Sequence, residues 1–100
     1  MKPPRRRVDG NQGAIVSAMR QRGASVELLA ALGNGIPDLL VGYRGRIGLV
    51  ECKNPDGRGE ALTTAEARWR MLWGGVSVEV AIVRSPEEAV AYLERLGGER

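Results

Sequence analysis

A hairpin constrains this chain more than any other feature. Leu39, Leu40 and Val41 form one apolar run and Leu49 and Val50 another, and Arg44-Gly45 lies between them. A two-residue turn between apolar runs folds them antiparallel and sets their register. Tyr43 then faces Arg46, and counting outward Asp38 faces Glu51. Directly opposed residues share a face, with Cβ atoms about 5 Å apart. Lys53 lies two residues beyond Glu51 and shares that face. Three charged side chains are thus expected at one end of an apolar hairpin. Arg-Gly is a weaker turn pair than Asn-Gly, and a bulge there would shift the count by one residue.

The remaining elements follow from periodicity and punctuation. A first helix starts near Asp9 or Asn11, either of which can cap it. Ala14, Ile15, Ala18 and Met19 recur at helical spacing, and Gly23 suits the stop. Residues 25–29 alternate as a strand does, with Val26 and Leu28 on one face. Residues 32–37 hold two glycines and a proline and read as a loop. Residues 38–43 and 46–53 are the hairpin strands, and 54–61 a polar, glycine-containing loop. Thr63 and Glu66 have the spacing of a capping box that opens a second helix. Ala65, Trp69, Leu72 and Trp73 are its apolar stripe, and Gly74-Gly75 ends it. Residues 76–83 are β-branched and read as a fourth strand. Ser85 with Glu88 forms another capping box, and Pro86 stands at the favoured first helical position of a helix running to about residue 96. The order is helix, three strands, helix, strand, helix. The expectation is an α/β fold: a mixed four-stranded sheet with helices on both faces and an extra C-terminal helix.

Composition excludes several chemistries. The chain has 100 residues, 43% of them hydrophobic, which fits one domain over residues 9–97. It has one cysteine, Cys52, and no histidine. That rules out an intrachain disulfide, a histidine general base and a Cys/His zinc site. No apolar run approaches the roughly 20 residues of a membrane span, and the basic start lacks a signal-peptide core. A soluble, intracellular protein is expected. The net charge of +3 suits a polyanionic partner. Residues 1–8 carry Lys2, Arg5, Arg6 and Arg7 around two prolines, a basic arm that reads either as a solvated tail or as a contact for nucleic acid.

Two carboxylates side by side repel, and one takes up a proton unless a cation neutralises them. Mg²⁺ binds one or two carboxylates and keeps several waters, one of which can attack phosphorus. Lys53 adds a compact positive charge that can orient the water or neutralise the phosphorane. Taken alone, however, Glu-x-Lys on a strand is more often a same-face ion pair on a wet surface. The apolar flanks argue against that reading, because clustered charges at the end of a buried hairpin need a compensating partner.

Pro37-Asp38 followed by Glu51-Cys52-Lys53 fits the PD-(D/E)XK pattern of metal-dependent nucleases, and the element order matches that superfamily's restriction-endonuclease-like core. Within it the chain resembles the VRR-NUC family, in particular its short stand-alone phage and prophage members. The resemblance rests on four blocks in order: Arg7-Val8-Asp9-Gly10-Asn11-Gln12, Gly33 to Gly42, Leu49-Val50-Glu51-Cys52-Lys53, and Leu62-Thr63-Thr64-Ala65-Glu66 with Trp69. It implies Asp38 and Glu51 as Mg²⁺ or Mn²⁺ ligands, with the Cys52 backbone carbonyl joining them, and Lys53 as the catalytic lysine. The acidic residue that many members carry on the first helix corresponds to Gln12, which is neutral. Gln12 can still accept a bond through its amide oxygen, but it brings no charge to hold a second metal tightly. The resemblance further implies a structure-selective DNA endonuclease, acting on Holliday junctions or other branched DNA as a homodimer in the cytoplasm of a bacterial host. A non-catalytic DNA-binding module on the same fold is the competing reading.

Other residues read more plainly. Glu66 stands where the family often has Gln and is taken first as a helix cap, ahead of a role in the site. Cys52, opposite in face to its neighbours, reads as a small core residue. Trp69 and Trp73 read as core or dimer packing. Arg58 lies in the glycine-containing loop and, with Arg5, Arg6 and Arg7, is a candidate DNA contact. Arg44 and Arg46 flank the hairpin tip, away from the carboxylates; they could touch phosphates, but a solvated turn is the simpler account of them.

Overall fold

The computed structural model describes residues 11–56, 62–74 and 79–98. Helix α1 (Gln12–Gln21) leads into β1 (Ser25–Leu28), a single 3₁₀ turn (Ala30–Leu32), β2 (Leu39–Tyr43) and β3 (Arg46–Cys52). Helix α2 (Thr64–Leu72), β4 (Val80–Val83) and α3 (Pro86–Leu96) complete the chain. The sheet order is β1-β2-β3-β4, with β1–β2 and β2–β3 antiparallel and β3–β4 parallel. This is the mixed α/β architecture that the sequence pattern predicts. The basic arm (Arg5, Arg6, Arg7), the Asp9 cap candidate and Arg58 lie outside the described residues.

The hairpin turn is tight. Arg44 and Gly45 both have positive φ, 51° and 80°, as a two-residue type I′ turn requires. Register follows without a bulge: Tyr43 pairs with Arg46 and Leu39 with Val50. The next rung outward is Asp38 against Glu51, the pairing counted from the sequence.

One face of the sheet is fully covered. Leu39, Val41, Val50, Cys52, Ala81 and Val83 pack beneath α1 and α3, which contribute Ile15, Met19, Ala89, Tyr92 and Leu93. Cys52 is thus a core residue, as its position between Glu51 and Lys53 predicts. Alternation sends Leu40, Leu49, Glu51 and Lys53 to the other face, where α2 lies.

Two elements differ from expectation. Leu28 shares a face with Val26 but is 56% exposed, whereas Val26 is buried. It stands at the end of an edge strand, beyond the core, and instead lines a cleft beside α1. Helix α2 buries none of its residues, and Met71, Leu72 and Trp73 are exposed. Its two tryptophans stack on each other, with ring centroids 5.3 Å apart, rather than entering the core. Among the described residues no helix is long and apolar enough to cross a membrane.

Candidate active site

Pro37 shapes the site by what it lacks. The β2–β3 ladder would next pair residue 37 with Cys52, but proline has no N–H to donate to the Cys52 carbonyl. The Cys52 N–H donates to the Asp38 carboxylate, Oδ2 at 2.8 Å. On its other side, the Asp38 carbonyl accepts from the Leu29 N–H at 2.8 Å. Asp38 is thereby fixed at the strand end by main-chain bonds to both neighbouring segments. Along an extended strand the N–H and C=O of one residue point to the same side. The Cys52 carbonyl therefore opens toward the Asp38 side.

Glu51 and Lys53 are not on a wet surface. Glu51 is 3% exposed and Lys53 8%, with Lys53 Nζ 3.8 Å from Glu51 Oε2. Burying two charges is costly, and such pairs are weak contributors to stability. Their burial is therefore evidence of another role, and the surface ion-pair reading is excluded by position. The cover comes from α2. Glu66 Oε1 lies 3.6 Å from Lys53 Nζ, and the Glu66 carboxylate is hydrogen-bonded to Glu51.

Glu66 also caps its helix. The Thr63 N–H donates to Glu66 Oε1 at 3.0 Å, and the Glu66 N–H donates to Thr63 Oγ1 at 3.1 Å. The predicted capping box is present, and the same carboxylate is a member of the charged cluster. The two roles that the sequence set against each other are held together. In the second predicted box, Ser85 Oγ accepts from the Glu88 N–H, but Glu88 reaches back to the N–H of Arg84 instead of Ser85.

The carboxylates share a proton. Burial, the hydrogen bond to Glu66 and the nearby Asp38 charge push the Glu51 carboxyl up to about 8. Burial alone would raise Glu66 as well. The hydrogen bonds from Glu51 and the Thr63 N–H, together with the Lys53 charge, hold it below its ordinary value. Without a cation, Glu51 is the protonated partner and Glu66 the ionised one.

Asn11 is a site residue that sequence reasoning missed. It occupies the N-cap position of α1, yet its side chain makes no cap bond. Its Nδ2 donates to the carbonyls of Lys53, at 3.1 Å, and Arg84, at 2.6 Å. It ties the exit of β3 to the exit of β4, next to the buried lysine. Its Oδ1 is buried with no partner among the described residues. The only available sequence signal was its place in the first family block, and a helix-capping role absorbed that signal. Gln12 is buried at 8% exposure. It lines a cleft of about 580 Å³ with Val16, Ser17, Arg20 and Leu28, on the flank of α1. The structure thus brings together Asp38, Glu51, Cys52 and Lys53, adds Glu66 and Asn11, and sets Gln12 on a neighbouring cleft.

Among the described residues no group of three or more His, Cys, Asp and Glu side chains is already arranged as a cation cage. Mg²⁺ and Mn²⁺ do not need one. Two carboxylates, a main-chain carbonyl and water are hard oxygen donors of the kind these ions take. Asp38, Glu51 and the Cys52 carbonyl supply that set, and the raised Glu51 shows a carboxylate that a cation would relieve. The N-termini of α1 and α3 lie at this same end of the sheet, as the Asn11 bonds show, and such termini favour an anion nearby.

Compared with family models, with characterised proteins and with solved structures, the chain gives no match.

Proposed function

We propose that this protein is a metal-dependent nuclease whose site comprises Asp38, Glu51 and Lys53. The observation that carries the proposal is the burial of a Glu–Lys pair beside Asp38 at one sheet end, where stability alone gives no reason for it. The resemblance of the sequence blocks to VRR-NUC nucleases supports the same reading.

Asp38 and Glu51, with the Cys52 carbonyl, are the groups that would hold Mg²⁺ or Mn²⁺. Such an ion would supply a water of lowered pKa and charge neutralisation at the phosphate oxygens. Lys53 presents its ammonium to the phosphoryl group and offsets the charge that develops there. Glu66 and Asn11 are positioning residues: Glu66 holds the ammonium from above, and Asn11 holds the Lys53 main chain from below. Water is the nucleophile, and no covalent enzyme intermediate forms.

At the finer level we propose a structure-selective DNA endonuclease acting on Holliday junctions or other branched DNA. A homodimer suits symmetric cutting of two strands, and the apolar outer side of α2 (Met71, Leu72, Trp73) offers surface that a second copy would cover. A second reading, a DNA-binding module without cutting activity, is kept by Gln12, which brings no charge to the site.

The test is cleavage of labelled duplex, flap and four-way-junction DNA, with RNA alongside, in Mg²⁺, Mn²⁺ or chelator. Cutting that needs the metal and favours branched DNA supports the enzyme. Salt-sensitive DNA binding with no cutting in any metal supports the binding module.

A further inference from the structure

Charge is distributed unevenly along this molecule. Asp38, Glu51 and Glu66 stand at one end of the sheet. The other end, around the hairpin tip, carries Arg20, Arg22, Arg44, Arg46 and Arg95, all exposed. Strand direction and helix ends account for the placement. The β2–β3 turn, the end of α1 and the end of α3 all reach that end. Two helix C-termini there favour some positive charge. Arg20 and Arg95, in the last turns of α1 and α3, suit that role, and Arg20 is also bonded to the Val26 carbonyl at 2.8 Å.

Arg44 and Arg46 are not in a helix, and each lies against a neighbouring group. Arg44 is in a positive-φ turn with its guanidinium 4.9 Å from the centroid of the Tyr43 ring. Arg46 lies against Gly98, so close that a Cβ there would sit 2.6 Å from its Nη2. Arg95 stands 5.8 Å from the centroid of the Tyr92 ring. A guanidinium stacked on a ring keeps its edge donors for an external acceptor. Two clefts of about 300 and 330 Å³ flank Arg46, one shared with Arg95 and with one acidic residue, Glu79, the other with Arg44. Among the described residues no carboxylate is ion-paired with any of these arginines.

We propose that Arg44, Arg46 and Arg95 form a second contact for the DNA backbone, remote from the cutting site. The proposal rests on the nuclease reading for its partner, DNA. It deepens that reading by naming where a flanking arm of the substrate is held. The reach follows from β3. Arg46, its first residue, precedes Glu51 by five residues, about 17 Å at a rise of about 3.3 Å each. That is about five base pairs of duplex, at about 3.4 Å per step. Unbranched single strands too short to reach both ends gain nothing from this surface.

The test uses the full chain in a buffer with chelator. Binding of a junction with long arms, and of one with arms shortened to about four base pairs, is measured by fluorescence anisotropy across a salt series. The R44A/R46A/R95A variant is compared with wild type and with R44K/R46K/R95K. The arginine-to-alanine variant should bind the long-armed junction about tenfold or more weakly, with a salt slope flatter by about 2 to 3. It should lose little affinity for the short-armed junction, and the lysine variant should retain most of the affinity. A purely structural role would lower the melting temperature and leave the salt slope and arm-length dependence in place, which overturns the proposal. Wild type that cuts branched DNA while the alanine variant binds both junctions as wild type does overturns the proposal alone. Wild type that neither binds nor cuts DNA overturns it together with the nuclease reading.

Discussion

Among single residues, Asn11 and Glu51 tie the site most tightly to the stability of the fold. Asn11→Ala removes both donors from two carbonyls at the strand exits. It should destabilise the fold by about 1–3 kcal/mol. Because Lys53 is one of the two anchors, cutting should slow by about tenfold or more as well. Denaturant melts and single-turnover rates check the two effects separately. Asn11 was illegible in the sequence because an asparagine before an apolar helical run has a simpler use as a cap. Only the fold shows its side chain turned toward strands that end far away in the chain. Glu51 gives a pH prediction. Its folded-state value of about 8 exceeds its ordinary 4.5, so the folded chain keeps a proton that the unfolded chain releases. Stability therefore falls as pH rises from 4.5 through about 8. The lowered Glu66 opposes this only at the acid end. Melting temperature in chelator should be lower at about pH 8.5 than at about pH 6, and added Mn²⁺ should narrow the difference. Equal melting temperatures at both pH values would remove the argument that Glu51 is held protonated.

Among elements, the hairpin was legible, and so were the cap and extent of α2, but not how α2 packs. A two-residue turn leaves one register, and strand periodicity of two then fixes which side chains share a face. That arithmetic placed Asp38, Glu51 and Lys53 together. It carried no information on whether the shared face is wet or dry, since the cover is Glu66 on another element. The stripe of α2 predicted packing, but the helix buries none of its residues, and its first turn rests against Gly35. Gly35 is the contact that matters there. Its φ is +79°, and a Cβ would collide with the Ala65 carbonyl. Gly35→Ala should cost about 1–3 kcal/mol from the backbone conformation alone. It should also push the start of α2, with Glu66, away from Lys53. Loss of cutting beyond the loss of folded protein is the expected result, read as activity per folded molecule. Leu28 shows the opposite failure: strand alternation was right about its face and silent about the edge position that leaves it exposed.

For the whole molecule, the fold gathers costly groups at one sheet end. The C-terminal ends of β3 and β4, the starts of α1 and α3 and the capping box of α2 converge there. Such convergence of a buried ion pair with hard oxygen donors is characteristic of a site and costs the fold stability. The most direct measurement is the rate at which wild type and Asp38→Asn cut a four-way junction in Mn²⁺, under single-turnover conditions and with equal folded protein. The side-chain amide oxygen introduced by this substitution can still accept from the Cys52 N–H, so the fold is kept while the charge is lost. The account predicts cutting by wild type that stops with chelator and falls at least about a hundredfold in the variant, roughly 2.7 kcal/mol of lost transition-state stabilisation. Equal rates for the two proteins, or cutting by wild type that survives chelation, would contradict it.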